Sequence, residues 1–279
     1  MIQKRTWYKS VLLYLVVTLL LLIFVFPIYW MIIGSFKSRE VLTSLPPQLY
    51  PTFSTFQNYI DIFTNQKYMT YIGNSFLVAA LTVVIDLTLA VFAGYSLSRF
   101  RYPGRKAIMT ITLSSQVFPT VVVLISLYEF FYKFKLMNNR FGLALADVAM
   151  SLPLSVWMLK SFCDSVPRSL DEAARVDGCG RFATLIRIVF PLLKPGMLAV
   201  GIYSFLMSWD DYMMGLVIIT KTPKKTLPVG IAESFLGEFG FDYAGMMTIA
   251  VVASLPVLLL FLIFQKYMVA GLTSGAVKE

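Results

Sequence analysis

Side chains that could do chemistry are few in this sequence, and the most unusual of them are polar groups inside long apolar stretches. Asp86, Asp147 and the adjacent Asp210 and Asp211 each interrupt such a stretch, and Gln116 lies within another. In an apolar stretch, such groups line a water-filled path or bond to a neighbouring helix. Histidine is absent and the two cysteines lack the Cys-x-x-Cys spacing, so neither a metal site nor nucleophilic catalysis is indicated.

The apolar stretches that carry these groups are long enough to cross a membrane. About 20 residues rising about 1.5 Å each span a hydrocarbon core of roughly 30 Å, and the stretches lack the alternation of barrel strands. Only 14% of the residues are charged, against about 25% in soluble domains. The sequence therefore predicts an all-α membrane protein with six transmembrane helices. The predicted spans are Val11–Ile33, Phe76–Leu97, Ala107–Phe131, Phe141–Leu159, Pro191–Ile219 and Gly245–Phe264.

The first predicted span follows Lys4, Arg5 and Lys9, a pattern that also occurs in signal peptides. Its apolar part exceeds the usual length of about 7–15 residues and no A-x-A site follows it, so we expect an uncleaved first helix. With a cytoplasmic N-terminus, 15 of the 24 lysines and arginines fall on the cytoplasmic side. The positive-inside rule then predicts that both termini are cytoplasmic.

Charge and cysteine usage narrow the function further. The net charge is +9, but the basic residues lie in the gaps between apolar stretches rather than in one patch on a soluble fold. This distribution argues against nucleic-acid binding. In the predicted topology Cys163 and Cys179 lie on the cytoplasmic side, where thiols stay reduced, so both are predicted to be free.

One polar segment, SLDEAARVDGCGRF from Ser169 to Phe182, lies between the fourth and fifth predicted spans. Ser169 and Glu172 have the spacing of a capping box at a helix start, and Gly178 is a typical helix stop. The pattern predicts a short cytoplasmic helix over Leu170–Asp177. A helix this short is marginal by itself, so it is either an ordinary loop helix or a surface held by a partner protein.

The same segment resembles a known signature, the EAA…G…I.LP pattern of permease subunits in binding-protein-dependent ATP-binding-cassette importers. The matching residues are Glu172, Ala173, Ala174, Asp177, Gly178, Ile188, Pro191 and Leu192. The resemblance covers nearly the whole chain and is to the smaller permease subunit of the maltose importer class. The segments PIYW from Pro27, YSLSRFRYPG from Tyr95, WDDY from Trp209 and QKYMVAGLTSGAVK from Gln265 are similar to segments of carbohydrate-uptake permeases. Asp210 departs from the asparagine that is common there.

The resemblance implies a type I importer permease fold, in which a cytoplasmic coupling helix between helices 4 and 5 docks on an ATP-binding subunit. The implied coupling residues are Glu172, Ala173, Ala174, Asp177 and Gly178. A C-terminal tail that includes Gly275 and Lys278 is implied to contact the ATPases as well. The expected domain division is an N-terminal helix with its first external loop over 1–70, a permease core over 71–270 and the tail over 271–279.

The resemblance also implies a set of partners. They are a second homologous permease subunit, two ATP-binding subunits, an extracytoplasmic solute-binding protein and a sugar substrate, at the cytoplasmic membrane of a bacterium or archaeon. The sequence has no G-x-x-x-x-G-K-[ST] segment for binding ATP. We therefore expect a transporter subunit rather than an enzyme, with no cofactor on this chain and with ATP and Mg²⁺ on the partner subunits.

The translocation path is predicted from polar and aromatic residues in or beside the spans. The candidates are Gln116, Asp147, Trp209, Asp210, Asp211 and Tyr212. The alternative is that the polar groups bond to neighbouring helices and that the rings anchor the chain at the membrane interface. The acidic character of the spans favours a neutral sugar, with a glycerol phosphate or a polyol as the alternative substrate. A channel or membrane enzyme that works without partners is the third hypothesis.

Overall fold

A computed structural model of the chain describes residues 7–50, 55–235 and 242–274 of its 279 residues. The described residues form helices joined by short turns, and no strand occurs among them. In chain order the helices are α1 (Trp7–Ser35), α2 (Arg39–Leu42), α3 (Gln57–Thr64), α4 (Gln66–Arg99), α5 (Arg105–Ser114), α6 (Thr120–Lys133), α7 (Arg140–Ser165), α8 (Arg168–Val176), α9 (Arg181–Thr184), α10 (Phe190–Leu192), α11 (Lys194–Trp209), α12 (Met213–Ile218), α13 (Leu227–Phe235) and α14 (Tyr243–Ser274). Short 3-10 turns occur at Ser115–Val117 and Thr222–Lys224, and a π turn occurs at Leu185–Val189.

Six membrane spans are present in the described residues when each of two bent helix pairs counts as one span. Four helices are long and apolar enough to cross without a break, at Ser10–Ser35, Gln66–Arg99, Arg140–Ser165 and Tyr243–Gln265. The pair that joins α5 to α6 bends by 105°, and the pair that ends in α11 bends by 79°. The architecture is the all-helical one that the apolar stretches predict.

The third span is broken where the sequence predicts one continuous helix. Pro119 lies at the break, just before α6, with a ψ of 129° that is not helical. Proline lacks a backbone N–H donor and its ring collides with the preceding turn of a helix, so a straight helix cannot run through it. The hydrophobic pattern predicts Ala107–Phe131 as one helix because it counts apolar residues and takes no account of the break that Pro119 causes.

The fifth predicted span is also shorter than the apolar stretch. It ends at Trp209 instead of Ile219, and the remainder forms the separate short helix α12. Asp211 stabilises this arrangement because its carboxylate accepts hydrogen bonds from the backbone N–H groups of Met214 at 3.1 Å and Gly215 at 2.8 Å. These are first-turn donors that a helix start leaves without partners, so Asp211 fixes the start of α12.

The chain divides into two compact units, and the first consists of Met1–Met69 and Ile231–Leu255. Within it, Asn58 donates to the backbone carbonyls of Ser35 and Lys37, both at 2.9 Å, which ties α3 to the end of α1. Lys37 is only 1% exposed and donates to the carbonyl of Gln48. Lys37 follows the first predicted span and therefore lies on the predicted outer side, but because it is buried it adds little to the charge of that surface.

The second unit, Thr70–Gly230 and Pro256–Glu279, is built around α4, α7 and α11. A Cβ on Gly94 would lie 2.9 Å from the backbone nitrogen of Lys160, so glycine allows the α4 and α7 backbones to approach closely. At the other end of α4, Asn74 accepts a hydrogen bond from Arg140 at 2.6 Å. These two contacts show that α4 and α7 run in the same direction.

The predicted last span, Gly245–Phe264, agrees with the span found at Tyr243–Gln265. Helix α14 continues beyond this span to Ser274. The predicted tail residues Gly275 and Lys278 lie outside the described residues. The proposed division at residues 70 and 270 stays a prediction.

Candidate functional site

The predicted coupling segment forms α8, a helix of nine residues from Arg168 to Val176. The capping-box prediction is wrong, because Pro167 occupies the N-cap position, no side chain caps the helix, and Ser169 lies inside it. Proline fixes its own φ near the value that precedes a helix and lacks an N–H that would need a partner. The helix therefore begins directly after Pro167, whose carbonyl accepts a hydrogen bond from the Leu170 N–H at 3.3 Å.

The C-terminal end of α8 confirms the role predicted for Gly178. Its φ is +79°, in the left-handed region that glycine adopts without penalty. Cys179 N–H donates to the carbonyl of Ala174 at 2.8 Å, and Gly178 N–H donates to that of Arg175 at 3.1 Å. This pair of bonds is a Schellman motif, which satisfies the last carbonyls of the helix. It turns the chain sharply away and fixes the length of α8.

One face of α8 is attached to the end of α4 by a buried ion pair. Asp171 is 5% exposed, and its carboxylate lies 2.9 Å from Nε of Arg99. Tyr95 donates its hydroxyl to the same carboxylate at 3.2 Å, and Arg99 also donates to the carbonyl of Val166 at 2.8 Å. We call Tyr95, Arg99 and Asp171 the mount. Because Arg99 is the last residue of α4, the ion pair joins α8 to the end of a membrane-spanning helix.

Further contacts hold α8 in the same orientation. Arg168 donates to the carbonyl of Ser98 at 3.2 Å, and the guanidinium of Arg181 lies 5.0 Å from the ring centroid of Phe100. Ser98 in turn donates to Asp164 at 2.6 Å. These interactions join the ends of α4 and α7 to the segment around α8, so the helix has a defined position although it is short.

The opposite face of α8 is free for a partner. Glu172 and Ala173 are exposed, as are Asp177 and Gly178, and Val176 is 88% exposed. Ala174 differs from the other predicted coupling residues, because it is 2% exposed and packs inward beside Asp171. The structure thus brings the predicted residues together on α8 and in the turn that ends it, and all of them except Ala174 are exposed.

Sequence reasoning missed the mount. Asp171 and Ala174 are three residues apart, which places them on one face of a helix. That spacing could have indicated an inward-facing carboxylate. Its partner Arg99 lies on another helix far away in the sequence, so no local pattern pairs the two residues.

A second polar cluster lies within the membrane-spanning part of the bundle. Asp86 is 0% exposed and accepts hydrogen bonds from Ser155, at 2.5 Å, and from Ser204. One turn away, Ser208 donates to Asp147 at 2.5 Å and lies 3.3 Å from the hydroxyl of Thr82. We call this set of residues the hydroxyl ladder. It connects α4, α7 and α11 with hydroxyl donors alone, and no salt bridge involves either aspartate among the described residues.

The other candidate path residues have varied surroundings. Trp209 is 3% exposed, with its ring centroid 4.7 Å from that of Phe76, whereas Asp210 and Tyr212 are exposed. Gln116 lies in the turn that precedes the break at Pro119 and donates to the carbonyl of Met150 at 2.9 Å. Asp147 and Asp211 bond within the bundle, as described above. A role for any of these residues in translocation stays a prediction.

Comparison with known proteins places this geometry in context. Residues 86–274 match a protein family described as the inner membrane component of binding-protein-dependent transport systems. The chain is 35% identical over 265 residues to a sulfoquinovosyl glycerol transport system permease protein from Agrobacterium fabrum, covering 95% of this chain and 93% of that protein. It is 33% identical over 273 residues to a trehalose/maltose transport system permease protein from Thermococcus litoralis, covering 97% of each chain.

A solved structure has the same fold. It is a chain of a bacterial ABC transporter involved in the import of the acidic polysaccharide alginate, with a TM-score of 0.84 and 20% sequence identity. The superposition covers 96% of this chain and 99% of that chain. The fold of this chain is therefore one that is already known from experiment.

Proposed function

Since the chain belongs to the family of inner membrane components of binding-protein-dependent transport systems, we propose that it is the permease subunit of an ATP-driven importer for a sugar or oligosaccharide. The subunit itself forms part of the membrane channel and is not an enzyme. ATP and Mg²⁺ are bound by two partner ATP-binding subunits. A second homologous permease subunit completes the path, and an extracytoplasmic solute-binding protein delivers the substrate.

The observation that carries this proposal is the two-sided character of α8. Its exposed face, with Glu172 and Val176, is available to an ATP-binding subunit, while its inner face is fixed to α4 through Arg99 and Asp171. A helix that is merely part of a solvated loop needs no buried ion pair. Movement of the ATPases would thus reach the membrane helices through the mount and bias them toward one of two conformations.

We infer the substrate class from the names of the relatives and not from the charges within the helix bundle. The two relatives are named for the transport of a sugar glycoside and of disaccharides, and the structural neighbour for an acidic polysaccharide. Asp86 and Asp147 are buried against other helices, so their charge does not select for a neutral sugar. Both neutral and acidic sugars are consistent with this bundle, and a glycerol phosphate or polyol is the alternative.

The orientation of the chain is part of the proposal. We place both termini and α8 in the cytoplasm, because most of the basic residues then lie on that side. In this orientation the exposed face of α8 points toward the ATP-binding subunits. The tail residues Gly275 and Lys278 are proposed as a second contact with the same subunits.

Reconstitution tests the proposal directly. The chain is purified with its cognate permease and ATPase subunits and placed in proteoliposomes with the cognate binding protein. Uptake of a labelled sugar is expected only with ATP inside and with the binding protein outside. Uptake by the chain alone, without ATPase subunits, would show instead that it is a stand-alone channel.

A ligand panel on the binding protein then identifies the substrate class. The panel contains a neutral disaccharide, an acidic oligosaccharide, glycerol 3-phosphate and a polyol, and binding is measured by calorimetry. Tight binding of either sugar supports the proposal. Tight binding of glycerol 3-phosphate or the polyol alone would replace the sugar by the alternative substrate.

A further inference from the structure

A cleft of about 760 Å³ opens where α4 ends and α5 begins, and Lys160 of α7 also lines it. Four basic side chains line it, those of Arg101, Arg105, Lys106 and Lys160, and no acidic residue is among its lining residues. The cleft is separate from the mount and from the exposed face of α8, and neither the coupling role nor the translocation path uses it.

Asp164 on α7 lies beside the cleft and balances part of its positive charge. Lys160 pairs with Asp164 on α7, but no salt bridge involves the other three basic residues in the part of the chain that the structure describes. Arg105 donates to the carbonyl of Phe100 at 3.3 Å, which fixes one side of its guanidinium and leaves the other donors available. Asp164 also attracts Arg105, but a single carboxylate does not balance the four neighbouring cations, so an anion in the cleft would relieve the remaining repulsion.

The position of the cleft points to the membrane surface. One span ends at Arg99 and the next begins at Arg105, so the residues between them lie at the boundary of the bilayer. Beside the cleft, Ile111 of α5 is 70% exposed, as expected for a side chain that contacts lipid. Met109 and Leu97 add apolar surface to the wall. Cationic and apolar surfaces meet here in the order in which a phospholipid presents its headgroup and its acyl chains.

We propose that this cleft binds the headgroup of an anionic phospholipid. Arg101, Arg105 and Lys106 are its phosphate ligands, and Tyr102 lies at the level of the headgroup, where tyrosine is common. Arginine donors match the geometry of a phosphate, and basic pockets between membrane helices are known to take anionic headgroups. The volume is ample for a headgroup together with water, since a water molecule fills about 30 Å³.

The site has a consequence for coupling, which rests on the proposed transport function. Arg101 is two residues after Arg99, the cation of the mount, in the turn between α4 and α5. A bound phosphate would hold this turn and hence the position of Arg99. We therefore expect anionic lipid to raise the coupling of ATP hydrolysis to transport, in addition to occupying the cleft.

The test measures lipid binding itself, independently of transport. The intact importer complex is placed in nanodiscs of phosphatidylcholine with a small fraction of spin-labelled phosphatidylglycerol, and the immobilised fraction is measured by electron paramagnetic resonance. The triple variant Arg101→Gln/Arg105→Gln/Lys106→Gln is compared with the control Lys133→Gln/Lys135→Gln/Lys221→Gln, which removes three exposed lysines elsewhere. Each cleft residue is expected to contribute about a fivefold change in affinity.

The expected result is that the cleft variant binds phosphatidylglycerol roughly a hundredfold more weakly, while the control matches the parent. Equal binding by all three proteins would overturn the proposal, since the lipid would then be held by the surface in general. Displacement of the labelled lipid by inorganic phosphate at equal concentration would reassign the site to a soluble anion. Loss of ATPase subunits from the cleft variant, with lipid binding unchanged, would reassign it to a protein contact.

A second variant guards against misfolding. Arg101→Lys/Arg105→Lys keeps both charges, so it is expected to retain most of the binding and to fold like the parent. If this variant also loses the lipid although the complex elutes normally, charge is not the basis of the site and the proposal is wrong. Because the readout is lipid binding, a failure here is distinct from a failure of the sugar-import proposal.

Discussion

Two buried aspartates in this protein are stabilised by different partners. Asp171 in the mount pairs with a cation, whereas Asp86 in the hydroxyl ladder accepts hydrogen bonds from hydroxyl groups. Asp171 lies at the membrane boundary and faces the guanidinium of Arg99 at 2.9 Å. Asp86 lies within the membrane-spanning bundle and accepts hydrogen bonds from the hydroxyls of Ser155 and Ser204. Both carboxylates are almost fully buried, so the difference comes from their partners and not from their exposure.

The difference follows from where each residue lies and what it must do. A buried ion pair loses much solvation energy, and its stability depends on keeping both partners in place. Such a pair suits the mount, which must hold α8 rigidly against a membrane helix. Within hydrocarbon, a cation would add a further cost, and hydroxyl donors satisfy an acidic group without a second charge. The comparison predicts that the mount is fragile to single substitutions and that the ladder is tolerant of them.

Removal of Arg99 is expected to have the largest effect. Arg99→Leu leaves Asp171 buried without a cation, and breaking a buried pair in this way costs about 3–5 kcal/mol. Sugar uptake in proteoliposomes should be lost, and the thermal midpoint of the complex should fall. The double variant Arg99→Leu/Asp171→Leu should recover much of the stability but not the uptake. Parental stability of Arg99→Leu would show that the ion pair does not hold α8.

Substitutions at Gly178 are expected to have the second-largest effect on uptake, because they alter the end of α8 rather than its attachment to α4. Gly178→Ala forces a side chain into the left-handed region, at a cost of about 1–2 kcal/mol. Gly178→Pro costs more, since proline cannot adopt a φ of +79° and loses the N–H that donates to Arg175. Uptake should fall in that order while membrane insertion is kept.

Gly180→Ala is the matched control for this prediction. Gly180 has an ordinary φ of −69°, and a Cβ there would meet no atom within 4 Å. The control should transport like the parent. Normal uptake by Gly178→Pro, at normal expression, would remove α8 from the coupling mechanism.

A substitution in the hydroxyl ladder is expected to lower the stability less than the substitutions at Arg99 and Gly178. In Asp86→Asn the amide oxygen still accepts from Ser155 and Ser204, and the amide nitrogen replaces a carboxylate oxygen that has no partner in the described structure. Hydrogen bonds between membrane helices average about 0.6 kcal/mol, so the change in unfolding free energy should be of that order. Asp171→Asn should cost more, because Arg99 loses its counter-charge. An equal loss of stability in the two variants, measured by thermal unfolding in detergent, would invalidate the contrast drawn between the sites.

Labelling of the two native cysteines perturbs the protein least of these tests, and it shows on which side of the membrane α8 lies. Cys163 is fully buried, whereas Cys179, just after α8, is partly exposed. An impermeant maleimide should label neither residue in intact cells. After permeabilisation it should label Cys179 in a complex stripped of ATPases, and Cys163 should remain unreactive. Labelling of Cys179 in sealed cells would place α8 on the outer side.

The sequence predicts the features that have a local signal. Apolar stretches locate the spans, and Gly178 locates the end of α8, because a left-handed residue after a helix strongly favours glycine. Pro119 is also a local signal, because proline interrupts a helix. The hydrophobic pattern nevertheless predicts one continuous helix in the third span. For α8 the capping pattern predicts a serine cap, whereas Pro167 occupies the N-cap position and no side chain caps the helix.

The ladder and the mount depend on contacts that no local pattern specifies. Ser204 bonds to Asp86 across 118 residues, and Tyr95 bonds to Asp171 across 76 residues. Serine within an apolar helix has many possible partners or none, so its type alone does not reveal an interhelical bond. The regular spacing of Ser204 and Ser208, and of Thr82 and Asp86, would have supported a polar stripe on each helix. Their pairing needed the three-dimensional arrangement.

The order in which the ladder is synthesised imposes a condition on biogenesis. Asp86 enters the membrane with α4, before the ribosome has made Ser155 or Ser204. Until those helices arrive, the carboxyl has no hydroxyl donors, and an aspartate at the centre of a lone span disfavours insertion by about 2.5–3.5 kcal/mol. The strongly apolar remainder of α4 offsets that penalty during translation. The ladder closes only when α11 is complete, so a chain that stops short of it retains an unsatisfied acid in the bilayer and should be a preferred substrate for membrane proteases.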